Sequence, residues 1–220
     1  MAEQPGVRRI YDRESVEFAR VLAFNDGLFA IAITLLIVSI AVPTLSDTES
    51  VSELADALND LISNFVSFFI SFAVIGRYWL AHHEAISLLR AMDQRFIVLN
   101  LIYLAFVAFL PFPTALLGEY FENPLAVVIY AANVGIVSGL EVVLFRHAYR
   151  SGLLRHQPTE EIYRYGVLAS LSPLGLLALS IPFAFLSTSL AVSLWALLIP
   201  WGILLHRRAP EGAEQFLGGH

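Results

Sequence analysis

The stretch RVLAFNDGLFAIAITLLIVSIAVP, from Arg20 to Pro43, decides the fold. Between Val21 and Val42 its only ionisable residue is Asp26. At a rise of 1.5 Å per residue, these residues form a helix of about 33 Å, which is long enough to cross a bilayer. We therefore interpret the stretch as a transmembrane helix. An aspartate is costly inside such a helix, so we expect Asp26 to serve a function or a specific partner.

The composition of the whole chain agrees with a membrane protein. Of its 220 residues, 57% are hydrophobic and 15% are charged, and the mean hydropathy is +0.70. Polar surface could not cover that much apolar material in a soluble globule. Cysteine is absent, which excludes disulfides, thiolate metal sites and cysteine nucleophiles. We predict an all-α, polytopic membrane protein.

Apolar runs separated by charged segments predict six spans, at about 20–43, 60–82, 96–117, 125–146, 165–186 and 188–206. The last two come from 42 residues, 165–206, that contain neither an acid nor an arginine, with a turn expected near Ser187. Residues 1–19 are polar and lack the apolar core of a signal peptide, so we expect the first span to remain in the mature protein. Residues 20–207 then form the membrane domain, with residues 208–220 as a tail.

The positions of the arginines support this count. All thirteen basic residues are arginines, and they fall in the N-terminal segment, around the loops after spans two and four, and in the tail. The positive-inside rule then places both termini in the cytoplasm and the protein in the cytoplasmic membrane. The remaining loops carry seven acids and no base: five before span two and two after span three. These acids either concentrate cations at the outer mouth of a pore or are simply solvated.

A stripe of aliphatic side chains follows one face of the first helix, because Ile31, Leu35 and Val38 have i, i+4, i+7 spacing. Asp26 points roughly 140° away from Ile31 and Asn25 roughly 120° away. If the stripe lines an axis, this polar pair packs backward into the subunit. The expected partners lie at the end of span two, where Trp79 can donate through its indole N–H and His82 or His83 through an imidazole.

The segment Arg20-x-x-x-Phe24-Asn25-Asp26 resembles the RxxxFSD signature of the transmembrane protein 175 family, the endolysosomal potassium channels and their prokaryotic relatives. The continuation GLFAIAITLLIV is also similar to that family, as are YWLAHH on span two and FLPFPTALLGEY on span three. Asn25 stands where the family usually has serine. An amide can replace a hydroxyl in hydrogen bonding but is larger, so the local network is expected to repack.

The resemblance implies a potassium-permeable homotetramer in which the first helices surround the pore. Matched residue by residue, it assigns the constriction to Ile31, Leu35 and Val38, with the Thr34 hydroxyl near the axis. It also implies that the signature is a structural clamp and not an ion ligand; the clamp comprises Arg20, Phe24, Asn25 and Asp26, with Trp79, His82 and His83 as partners. The sequence has no TVGYG-like filter. Selection would then depend on partial dehydration in an apolar constriction.

Several alternatives stay open from the residues alone. An aliphatic stripe on a membrane helix often faces lipid or core. A metal site at His82 and His83 lacks further ligands, and adjacent helical residues face different directions. Glu141 could serve a proton path, or pair with Arg146 or Arg150.

Two other functional classes are alternatives to a channel. A transporter could place its substrate at helices broken by Pro173, Pro182 and Pro200, and a non-conducting scaffold is a third possibility. No enzyme motif is present. We expect no cofactor, no resident metal and no nucleic-acid partner, and we expect the partners to be further copies of the chain, the lipid bilayer and potassium ions.

Overall fold

A computed structural model describes residues 9–211 and 213. Over these residues the regular secondary structure is helical apart from two short strands, and loops join the elements. The elements are β1 (Ile10–Asp12), α1 (Val16–Val38), α2 (Val51–Asp60), α3 (Ile62–Ser87), β2 (Ala91–Asp93), α4 (Gln94–Phe109), α5 (Pro111–Glu119), α6 (Pro124–Arg150), α7 (Glu160–Ala184), α8 (Thr188–Trp195) and α9 (Leu198–Arg207).

Six segments are long and apolar enough to cross a membrane, which confirms the predicted all-α fold with six spans. Four of these are the single helices α1, α3, α6 and α7. The third span joins α4 to α5, and the sixth joins α8 to α9. Parts of the predicted terminal segments, residues 1–8, 212 and 214–220, lie outside the described residues.

The ends of α1 are set by local hydrogen bonds. Ser15 caps its start, where the hydroxyl accepts a bond from the backbone N–H of Phe18. The helix ends at Val38, five residues before the predicted end at Pro43. Pro43 disfavours a helical conformation only at Val42, and at the observed end the Ser39 hydroxyl donates to the Leu36 carbonyl at 2.8 Å. That bond satisfies one of the carbonyls left free at the helix end.

Proline acts differently in the third and fifth spans. The third span breaks at Leu110, directly before Pro111, as proline there predicts. In contrast, α7 continues through Pro173 and Pro182. Pro173 cannot donate to the Ala169 carbonyl four residues earlier, and the Ser172 hydroxyl donates to it instead at 3.0 Å. The fifth span is therefore a continuous helix, whereas the sixth span, which contains Pro200, is interrupted between Trp195 and Leu198. Only the sixth span has the discontinuity that the transporter alternative requires.

The core lies where α1 packs against α3 and α4, and where α6 packs against α4 and α7. Fully buried apolar residues fill it, including Phe29, Leu36, Ile75, Leu104 and Val107. Side-chain bonds join the helices across this core: Ser71 donates to the hydroxyl of Tyr130, Thr114 donates to Ser71, Tyr78 donates to the Val134 carbonyl, and Trp195 donates to Ser180.

A two-stranded antiparallel sheet ties the segment before α1 to the loop between α3 and α4. In its register Ile10 is opposite Asp93, and Asp12 is opposite Ala91. The guanidinium of the next residue, Arg13, donates to carbonyls at the end of α3, at 3.1 Å in the case of Leu89. The sequence did not predict these strands. They fix the start of α1 against the arginine-rich end of the bundle.

Candidate conduction helix and its polar clamp

Helix α1 has two distinct sides. One side packs into the subunit and is buried, with Asn25, Phe29, Ala32 and Leu36 at 2% exposure or less. The predicted stripe lies on the side turned away from the core, where Ile31 is 60% exposed, Leu35 44% and Val38 74%. Thr34 is exposed on the same side, and its hydroxyl donates to the Ile31 carbonyl at 2.9 Å. Within the subunit these four residues are therefore available to face a pore, a neighbouring subunit or lipid.

The signature residues divide between the two sides. Asn25 is buried, whereas Arg20 and Phe24 are exposed, Phe24 at 51%. At 100° per residue, Arg20 and Phe24 fall within about 40° of Ile31. The structure thus places these two residues beside the stripe. The resemblance assigned them to the clamp, but they do not belong to its buried cluster.

Asn25 is the centre of a buried polar cluster that joins three helices. Its Nδ2 lies 3.2 Å from His82 Nε2 on α3. Its Oδ1 accepts a bond of 2.8 Å from Asn100 Nδ2 on α4. His82 also stacks on Tyr103, with ring centroids 4.8 Å apart. Every polar atom of the Asn25 amide thus has a neighbour on another helix, which compensates for its burial in an apolar core.

Asp26 lies at the edge of this cluster. Its Oδ1 accepts a bond of 3.0 Å from Trp79 Nε1, but its side chain is exposed within the subunit. Only Asn25 packs fully backward, so the prediction that both residues do so is correct for one of them. His83 is exposed as well, and its ring lies 5.7 Å from that of Trp79.

Sequence reasoning missed Asn100 and Tyr103. Asn100 is the only amide in the apolar run FIVLNLIYL, and a lone polar residue in a membrane helix signals a partner on another helix. That signal indicates a bond without identifying its partner. Asn25 and Asn100 are separated by 75 positions in the chain, and only the packing of α1 on α4 brings them together.

The remaining sequence candidates lie elsewhere. His147 bonds to Asp93 at 2.9 Å, and Asp93 also caps α4 by accepting from the Phe96 N–H. Glu141 is partly buried on α6. Among the described residues, no group of three or more histidine or acidic side chains could hold a metal ion.

Comparisons with known proteins identify the family. The family model for the endosomal/lysosomal potassium channel TMEM175 matches residues 20–111, which include the stripe and the whole polar cluster. A potassium channel of Chamaesiphon minutus is 35% identical over 190 residues, which cover 81% of this chain and 90% of that protein. The chain belongs to the TMEM175 family. It is therefore a multi-pass membrane protein whose relatives are channels.

Other TMEM175 relatives extend this comparison. A crystal structure of a lysosomal potassium-selective channel TMEM175 homologue from Chamaesiphon minutus matches with a TM-score of 0.72 and 31% identity; the match covers 88% of this chain and 98% of that one. The endosomal/lysosomal proton channel TMEM175 of mouse is 28% identical over 209 residues. This chain covers 42% of that protein, so the comparison with mouse concerns part of a longer chain.

Proposed function

We propose that this protein is the subunit of a potassium-permeable cation channel in the cell membrane. Four copies assemble with their α1 helices around a central pore. The bacterial relatives named potassium channels, from Chamaesiphon minutus and Streptomyces collinus, are both 35% identical to this chain. These names support potassium as the permeant ion.

The observation that carries the proposal is the exposed aliphatic stripe. Its members are large and apolar, and they lie on α1 turned away from a face that the subunit buries completely. Around a fourfold axis, Ile31, Leu35 and Val38 would form three stacked apolar rings with Thr34 between them. A narrow apolar ring admits an ion only after partial dehydration, and it closes by dewetting. The stripe would therefore provide both selection and a gate.

The distribution of charged residues supports one orientation of the proposed subunit in the membrane. The positive-inside rule places the arginine-rich end, with both termini, in the cytoplasm. The opposite loops then face outward and carry acids without a base, including Glu53 and Asp56 on α2. Their field would raise the local concentration of cations at the outer mouth and favour cation entry.

Proton conduction is a second candidate, because the vertebrate relatives are named proton channels. The two candidates are separated by the reversal potential of currents in liposomes or planar bilayers. A potassium channel follows the potassium gradient at equal pH on both sides, and a proton channel follows the pH gradient at equal potassium. A transporter or scaffold gives no large unitary current under either gradient.

Leu35→Ala and Leu35→Asn test the constriction in the same bilayers. A smaller or more polar side chain should widen or wet the ring, raising unitary conductance and lowering the preference for potassium over sodium. Ile37→Ala is the matched control, because Ile37 is 51% exposed on the same helix but is rotated roughly 120° from Ile31. Unchanged conductance and reversal potential in both Leu35 variants would remove Leu35 from the pore.

A further inference from the structure

The polar cluster behind α1 is a chain of hydrogen bonds with a defined direction. Asn100 donates to Asn25 Oδ1 at 2.8 Å, and Asn25 Nδ2 points to His82 Nε2 at 3.2 Å. An amide nitrogen only donates, so His82 Nε2 must accept. The imidazole is then neutral, with its proton on Nδ1. The chain runs from Asn100 through Asn25 to His82.

One acceptor in this chain of hydrogen bonds is unused. Asn100 Oδ1 is buried and has no hydrogen-bond partner among the described residues. A buried acceptor without a donor is costly and uncommon. If the direction of donation were reversed, Asn100 Oδ1 would be the acceptor for Asn25 Nδ2.

Protonation of His82 would reverse the direction in which these hydrogen bonds are donated. Both nitrogens of a charged imidazole are donors, so Nε2–H would face the donor Nδ2 of Asn25. The contact becomes a hydrogen bond only if the Asn25 amide turns over and presents Oδ1. Its Nδ2 then faces Asn100, which must turn as well and accept through Oδ1. Both bonds are restored in the new direction, and Asn100 Nδ2 becomes the atom left over.

We propose that His82 is a proton-binding site inside the subunit, and that the Asn25–Asn100 amide pair reverses its direction when the proton binds. The titratable groups near the imidazole are the Asp26 carboxylate on α1 and the imidazole of His83, which is next to His82 on α3. Tyr103 of α4 and Phe29 of α1 cover the ring. The site does not depend on which ion the protein conducts.

The inference is tested by nitrogen NMR of the complete, ¹⁵N-labelled protein in lipid nanodiscs. Replacing the other five histidines one at a time assigns their signals. The remaining signal is then assigned to His82, which is itself not replaced. At mildly alkaline pH we expect Nδ1 to be protonated and Nε2 bare. On acidification, the side-chain amide signals of Asn25 and Asn100 should move with the same midpoint as the His82 ring. A proton on Nε2 at alkaline pH, or amide signals that do not follow the ring, would overturn the proposal.

Asn100→Asp fixes the chain in its reversed direction. An ionised carboxylate cannot donate, so Asn25 must donate to it and turn Oδ1 toward His82, which places the proton on Nε2 at mildly alkaline pH. Because burial favours the protonated acid, the pH is raised until the infrared C=O stretching band of the protonated acid is absent. Asn133→Asp is the matched control, because Asn133 is also buried but donates to the Phe106 carbonyl; it should leave the proton on Nδ1. An Nδ1 proton in Asn100→Asp while its carboxyl is ionised, or the same inversion in Asn133→Asp, contradicts the inference.

Asn25→Ser provides an independent test should Asn100→Asp fail to fold. A hydroxyl changes from donor to acceptor by rotating one hydrogen, so it can answer protonation of His82 without moving its neighbour. The Asn100 amide signal should then stay constant through the titration of His82. If it still moves with the ring, Asn25 does not transmit the reversal and the proposed mechanism is wrong.

Discussion

The indole N–H of Trp79 donates to Asp26 at 3.0 Å, on the outer surface of the subunit and not inside it. Trp79 is 37% exposed, and the Asp26 side chain is exposed as well. The neighbouring Asn25 is 2% exposed and bonds to two other helices. The predicted clamp residues therefore divide into a buried part and a peripheral part, which should differ in their contribution to stability.

Asn25→Ala should destabilise the assembled protein more than Asp26→Ala. The first change leaves His82 Nε2 and Asn100 Nδ2 buried without partners, at about 1–3 kcal/mol for each group. The second removes one bond at an exposed carboxylate, worth about 0.5–1.5 kcal/mol. Thermal melting in detergent, followed by size-exclusion chromatography, measures the difference. Ion selectivity should change little in either variant, and altered selectivity with normal assembly in Asp26→Ala would place Asp26 in the permeation path.

Gly118→Ala should lower the melting temperature, because α5 lies very close to α3. A Cβ at Gly118 would be 3.0 Å from the Asn64 Cα, and the Gly118 carbonyl accepts a bond from Ser63 at 2.9 Å. Separating the two helices loses packing worth about 1–3 kcal/mol. Gly139→Ala on α6 is the control, since nothing lies within 4 Å of the added Cβ, and alanine there should be neutral or stabilising by up to about 1 kcal/mol. Equal effects of the two changes would refute the close contact.

Acid should loosen the loop before α2. The backbone N–H groups of Ser46 and Asp47, with the Ser46 hydroxyl, donate to Glu53 and lower the pKa of its carboxyl. A lowered pKa means that this stabilisation is complete above the ordinary glutamate range and is lost as the pH falls through the lowered value. The Ser46 and Asp47 amides should then lose protection from hydrogen exchange. Glu53→Gln should weaken their protection at neutral pH and remove its dependence on acid.

The orientation of the last two spans can be tested with single cysteines in this cysteine-free chain. The turn between α7 and α8 contains Leu186, which is 80% exposed, and Gln157 is exposed in the segment before α7. In intact cells, Leu186→Cys should react with an impermeant thiol reagent and Gln157→Cys should not. These positions spare the Ser187 cap of α8 and the positive φ of Gly152. The opposite labelling would invert the proposed orientation, and labelling of neither would place the α7–α8 turn away from the outer surface.

The sequence was sufficient for features that depend on short segments. Whether a segment can enter the lipid depends on its own apolar composition. Hydropathy therefore located six spans without any knowledge of how they pack. Helical periodicity separated Ile31, Leu35 and Val38 from Asn25 in the same way. The bond between Asp26 and Trp79 was expected because a carboxylate in a membrane helix needs a donor, and few donors are available.

Only the tertiary structure determined which distant groups meet. Asn100 completes the Asn25 cluster from a helix that local patterns did not connect to α1, and Arg13 reaches the end of α3 through a strand pairing that three-residue segments are too short to reveal. Arg20 and Phe24 belong to the signature by sequence, yet they face outward because the rotation of α1 is set by what α3 and α4 bury. Periodicity defines the faces of a helix, but the contacts of its neighbours decide which face is inside.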